Sequence, residues 1–173
     1  MEEIEVPTEK LHETIEEKVE EAVKESEKGW SMYVAISTAL IAVLAAISAL
    51  LAGHHSDEAL IEQIKASDQW SYYQAKGIKA EIQGFAVSMG KADQSAVDKY
   101  KSDQADIKKE AQDHSDESAA HLEAHKKLAK AVTMFQIAIA ISAIAILTRK
   151  KFLWFTSMGL ALVGIWFFIL GLL

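Results

Sequence analysis

Apolar and charged positions are strongly segregated along the chain. Residues 30–53, 131–148 and 152–173 contain no Asp, Glu, Lys, Arg or His. Each run matches the ~17 to 25 residues a helix needs to cross a hydrocarbon core. Backbone groups in lipid must be satisfied within the segment, so helices are the expected form. The pattern predicts an all-α integral membrane protein with three transmembrane helices, at 30–53, 131–148 and 152–173.

Residues 54–130 alternate polar and apolar positions at three- and four-residue spacing, the period of a helix with a packed face. The segment has no proline, and its glycines are Gly77, Gly84 and Gly90. Its turn signal, "MGKADQS" at 89–95, falls near the midpoint. The prediction is a long antiparallel coiled-coil-like hairpin with its turn near 90–94. On the first arm Leu60, Ile64, Ser67, Ser71, Ala75, Ile78, Ile82, Phe85 and Met89 share one face. On the second, Val97, Tyr100, Gln104, Ile107, Ala111, His114, Ser118, His121, His125, Leu128 and Val132 keep an unbroken coiled-coil spacing. Folding about residue 92 pairs position i with roughly 184 − i, bringing Phe85 near Tyr100, Ile78 near Ile107 and Ile64 near His121.

A second stripe on the first arm holds Trp70, Tyr73, Gly77, Ala80, Gly84 and Val87. Each helix-interior glycine costs about 1 kcal/mol relative to Ala. Two of them, seven residues apart, are expected where another backbone comes close, so Trp70, Tyr73, Gly77, Ala80 and Gly84 are assigned to a contact between protomers. Ala35, Ala39, Ala42, Ala46, Ala49 and Gly53 form a small-residue ladder in the first span, with Ala131, Ala138, Ser142 and Ala145 in the second. Such ladders let helices approach in lipid. The aromatic-rich third span, with Trp154, Phe155, Trp166, Phe167 and Phe168, is expected to face lipid.

Residues 1–29 hold eleven Glu and four Lys, a balance equal to the whole chain's net charge of −7. Thr8 is the candidate N-cap of an acidic amphipathic helix with Leu11, Ile15, Val19, Ala22 and Ser26 on one stripe. No basic stripe for nucleic acid is present. Arg149, Lys150 and Lys151 form a short basic loop, which the positive-inside rule puts in the cytoplasm. That leaves the N-terminus cytoplasmic and the hairpin periplasmic or extracellular. There is no cysteine, so disulfides and thiolate metal sites are excluded.

"EIEVPTEKL", "LLAGHHSDEALIEQIKASDQWSYYQAKGIKA" and the three-span layout resemble a bacterial membrane-protein family catalogued as domain of unknown function 4337. The resemblance covers nearly the whole chain. It implies a bacterial origin, hence the inner membrane, and it implies no activity.

Candidate chemistry centres on histidine. In the predicted register Glu58 and Glu62 face His121 and His125, with His114 two turns before and His54 and His55 at the membrane exit. Two carboxylates and two imidazoles could hold a transition metal. A polar seam fixing register, or a pH-responsive His set, uses the same residues. "DHSDES" at 113–118 gives no nucleophile–base geometry, because sequence neighbours on a helix point to different faces. No phosphate-binding glycine loop occurs. No enzyme activity and no cofactor are expected. The spans contain no ionisable group, and Gln136 is their strongest polar one, which argues against a coupled transporter. The expected role is a self-assembling scaffold or accessory subunit: a homo-oligomer in the lipid bilayer, with accessory contacts to other membrane proteins. A homo-oligomeric channel is the alternative, and a metal or pH sensor the third.

Overall fold

The computed structural model describes residues 8–173, with side chains described from residue 29 onward. The chain is all-α: α1 is Thr8–Ser88, α2 is Gln94–Thr148 and α3 is Lys151–Leu172. Each helix holds a stretch long and apolar enough to cross a membrane. The N-terminal stripe from Leu11 to Ser26 lies outside the described side chains. α1 runs without a break past residues 29 and 53, and α2 past residue 130. No proline follows Pro7, and positive φ occurs only at Gly90 and Arg149 among the described residues. Nothing in the backbone therefore interrupts either helix where the composition changes.

The turn between α1 and α2 is built by local chemistry. Gly90 takes φ 68°, its N–H bonds Val87 O at 2.9 Å, and Lys91 N–H bonds Ala86 O at 2.9 Å. This pair of bonds around a left-handed glycine is a Schellman ending. Asp93 then opens α2: its carboxylate accepts from Ser95 N at 3.5 Å and Ser95 Oγ at 2.8 Å, the N-cap arrangement. Ser95 holds the Asp93 carboxyl below its usual range.

The chain divides into two compact units. One joins the described residues up to Ala45 with Met134–Val163. Its core holds Val34, Ile41, Ala45, Phe135, Ala138, Ser142, Ala145, Ser157 and Ala161. Ser142 and Ser157 hydroxyls lie 2.6 Å apart, Ser157 also bonds Ala138 O at 2.7 Å, and Trp154 Nε1 donates to Ser37 Oγ at 3.1 Å. Small residues and interhelical hydrogen bonds are what hold helices together in lipid. Trp154 thus departs from the expected lipid-facing aromatic set. It turns inward because its indole N–H finds a partner there, whereas Phe155 is exposed.

The other unit joins Ala46–Thr133 with Gly164–Leu173. Here the arms of the hairpin pack antiparallel, and the end of α3 joins them. Gly171 is needed in that join, since a Cβ on it would sit 2.7 Å from Leu128 Cγ. Lys130 Nζ lies 5.8 Å from the Phe167 ring centre.

The register of the hairpin differs from the one predicted. His55 pairs with His121, Glu62 with His114, Ala59 with Ser118 and Ala52 with His125; the paired numbers add to 176 or 177, not to the expected 184. Pairing about the midpoint requires arms that end level. In the structure Gln94 starts α2 opposite positions near 83, while α1 continues to Ser88. Residues 89–93 therefore descend alongside the last turn of α1 before α2 begins.

The seam of the first arm is also a different face. Ile64, Ile78 and Phe85, assigned to it from the sequence, are 54 %, 59 % and 67 % exposed. Ala52, Ala59, Ala66 and Ala80 are buried in their place. The expected pairs Phe85–Tyr100, Ile78–Ile107 and Ile64–His121 do not form. On the second arm Val97, Ile107, Ala111, Ser118 and Leu128 are buried, on the face read from the sequence.

A polar seam in the helical hairpin

The seam of α1 has two interleaved heptad series. Ala52, Ala59, Ala66, Tyr73, Ala80 and Val87 recur every seven residues, and His55, Glu62, Gln69 and Lys76 recur between them. This is an a/d pattern with small residues in one layer and polar ones in the other. On α2 the matching positions include Gln104, Ala111, Ser118 and His125, alternating with Tyr100, Ile107, His114 and His121. Alanine at successive core positions lets the backbones come close, and side chains then reach the opposite main chain. Ser118 Oγ donates to Ala59 O at 2.8 Å, His125 Nδ1 to Ala52 O at 2.7 Å and Gln104 Nε2 to Tyr73 O at 3.1 Å.

The polar layer is a ladder of side-chain pairs. Nearest the apolar segments, His55 Nδ1 and His121 Nδ1 are 3.0 Å apart, one donating and the other accepting. Burial, with His121 repelling a second positive charge, pushes the His55 imidazole below its usual 6.5. Next, His114 Nδ1 meets Glu62 Oε2 at 2.6 Å, and Lys65 Nζ meets Glu62 Oε1 at 2.7 Å. Lys65 first, and His114 after it, hold the Glu62 carboxyl below its usual range, although burial acts the other way. Gln69 donates to Glu110 at 2.9 Å. Further out, Lys76 Nζ is 2.6 Å from Asp103 and 5.3 Å from the ring centres of both Tyr72 and Tyr100. Asp103, then Tyr72, raise the Lys76 ammonium above the usual lysine range.

The aromatic stretch at 70–73 is part of this ladder. Trp70 and Tyr73 meet edge to face with centres 5.7 Å apart, Tyr73 lends its carbonyl to Gln104, and Tyr72 covers the Lys76 ammonium. Two of the residues assigned to a protomer contact on this face lie instead against the chain's own second arm. Ala80 is buried inside the hairpin, and a Cβ on Gly77 would meet Gln104 Nε2 at 2.6 Å. Gly77 is there for the chain's own second arm. A Cβ on Gly84 would meet nothing within 4 Å.

The metal-ligand set read from the sequence is not assembled either. With the register moved, Glu62 goes to His114, His121 to His55 and His125 to the Ala52 carbonyl, and Glu58 stands beside His55. The carboxylate–imidazole cluster that does form is Glu62, His114 and Glu117, whose ligand atoms all lie within 4.8 Å of one another. Glu117 was not singled out in the sequence. The His-x-x-Glu spacing at 114–117, one helical turn on a single face, could have marked it.

The model of the family "Domain of unknown function (DUF4337)" matches residues 30–173. The chain belongs to this family. The matched region takes in all of the hairpin, so the polar ladder of this family member lies within it. No curated protein and no solved structure matches the chain.

Proposed function

We propose that this member of the family is a membrane-anchored scaffold that self-assembles through the outward face of α1. The observation that carries the reading is the unpartnered apolar stripe on the first arm. Leu60, Ile64, Ile78, Ile82, Phe85 and Met89 are all at least 50 % exposed, along a helix segment outside the apolar runs. Exposed apolar clusters of this kind, here at 60–64 and 78–89 with Ser67 and Ser71 between them, mark an interaction site. Ala46, Ala49 and Gly53 lie on the same stripe and are exposed as well. In the other unit Ala35, Ala39 and Ala42 are also exposed. Two copies inserted the same way in one bilayer have parallel α1 helices. Small residues at membrane depth and large apolar ones beyond it suit such a pair. The interface therefore moves from the Trp70–Gly84 face to this one.

Ile82→Glu with Phe85→Glu tests the proposal on protein purified in detergent. The expected result is a shift to smaller species by light scattering with the helical signal kept. An oligomer of unchanged size would refute it. The channel alternative draws less support, because Ser142 and Ser157 spend their hydroxyls on each other rather than on a lumen.

The proposed setting is a bacterial inner membrane, with the N-terminus in the cytoplasm and the hairpin outside. The basic loop Arg149–Lys151 supports this orientation. Cysteines at Ala92 and Ser31, probed with an impermeant thiol reagent on intact cells, should label at position 92. Labelling at 31 alone would reverse the topology.

A further inference from the structure

We propose that Glu62, His114 and Glu117 form a binding site for one divalent first-row transition metal ion, closing across the two arms of the hairpin. This goes beyond the scaffold reading and does not depend on it. These residues are the only group among those described whose ligand atoms gather within 4.8 Å. His114 Nδ1 is 2.6 Å from Glu62 Oε2 and 4.0 Å from Glu117 Oε2. Two ligands of a tetrahedral zinc ion, each at about 2.0 to 2.2 Å, stand roughly 3.3 Å from one another. These two separations fall on either side of that value, and no ligand atom of the set lies more than 4.8 Å from another, so side-chain rotation is enough to complete the geometry.

The chemistry of the donors fits the same class of ion. One imidazole and two carboxylates suit Zn²⁺, Co²⁺, Fe²⁺ or Mn²⁺, with water filling the remaining positions. Lys65 holds the other oxygen of Glu62, which leaves Oε2 free to ligate and orients the carboxylate as an outer-sphere partner does. The metal takes the place of the proton between His114 and Glu62. Glu117 is 63 % exposed by its side chain, whereas Glu62 is 9 % exposed. A carboxylate from water thus closes a site begun by a buried one. Ligands from residues 62, 114 and 117 join segments some fifty residues apart in sequence, so the ion would clamp the arms.

The experiment uses the full chain in detergent, stripped with chelator and titrated with Co²⁺ and then Zn²⁺. Visible absorption reports the site, and calorimetry reports stoichiometry and affinity. One equivalent of Co²⁺ per chain is expected, displaced by Zn²⁺. Glu117→Ala and His114→Ala should each weaken binding by more than about tenfold, since even outer-sphere losses reach that size. The Glu117 side chain is largely exposed, so its variant should keep the helical signal and the parent's size in solution. A His55→Ala, His121→Ala double variant should bind like the parent. Weak, non-stoichiometric Co²⁺ binding would overturn the proposal. So would parent-like affinity in Glu117→Ala, or loss of binding only in the His55, His121 variant.

Discussion

The register of the hairpin can be tested with cysteine pairs, because the chain has no cysteine of its own. Ala66 and Ala111 are both 0 % exposed, and their numbers add to the same 177 as Ala59 with Ser118. Ala66→Cys with Ala111→Cys should oxidise to an intramolecular disulfide, which needs Cα atoms within about 7 Å. Ile64→Cys with His121→Cys, a pair from the midpoint register, should stay reduced. The bridge would close a loop of roughly 45 residues, worth about 4 kcal/mol by chain entropy. Two sulfurs added to a seam with no exposed surface offset part of that, by about 1 to 3 kcal/mol of overpacking. A net gain of about 1 to 3 kcal/mol follows.

The assay is oxidation at low protein concentration in detergent, then maleimide counting of free thiols and a denaturant titration followed by helical signal. Rapid closure of the 66–111 pair with a raised midpoint is the expected outcome. Equal or faster closure of the 64–121 pair would mean that the arms pack about seven positions away from the structure. The polar ladder and the metal site would then lose their geometry.

Two further predictions use other parts of the hairpin. Gly84→Ala meets open space, so it should stabilise α1 by about 0.8 to 1 kcal/mol. Gly77→Ala gains the same propensity but displaces the Gln104 amide from Tyr73 O, a bond worth about 0.5 to 1.5 kcal/mol, so its net effect in the same titration should be near zero. An equal gain at both sites would sink the assignment of Gly77 to the seam. For pH, the folded-state pKa of His55 is lowered, so the unfolded chain binds the proton more readily and stability falls as pH drops below 6.5. Glu62 and Asp103 are also lowered, but from carboxylate values, and their contributions are lost only in stronger acid. Protection factors of amides around residues 52–59, corrected for the intrinsic pH dependence of exchange, should therefore fall between pH 7 and 5. His55→Gln should flatten that change, and an unaltered profile in the variant would refute the assignment.

The three apolar helices and the turn at Gly90 were legible because each has a local cause: run length in one case, left-handed glycine and an Asp cap in the other. The seam of α2 was legible because Val97, Ile107 and Leu128 mark it with apolar bulk. The seam of α1 was not. Its core positions are Ala52, Ala59, Ala66 and Ala80, alternating with His55, Glu62, Gln69 and Lys76, while the larger apolar residues lie on the outward face. Hydrophobic periodicity locates the stripe with most to gain from burial, and on α1 that stripe stays largely exposed among the described residues. The metal candidates Glu58, His121 and His125 followed from the register. A seven-position shift moves every partner by two helical turns, and on α1 the seam lies on a different face as well.

That inversion of α1 has an energetic consequence. An alanine seam buries little apolar area, at about 25 cal/mol per Å², so close approach must be held by what fills the alternate layer. Those fillers are imidazoles, carboxylates, an amide and an ammonium, each satisfied by a partner on the other arm or one turn away. Removing one member strands the other in a partly dry seam, which costs more than the pair contributes when intact. The hairpin thus makes its own closure depend on groups that exchange protons and bind cations. The large apolar side chains that would have made closure unconditional are kept outside, on the face of α1 left for a neighbour. A second chain docked on Ile78, Ile82 and Phe85 would hold only the first arm, so the seam would stay responsive inside the assembly. In the proposed assembly, arm opening and metal occupancy would therefore vary with pH without dissolving the contact between copies.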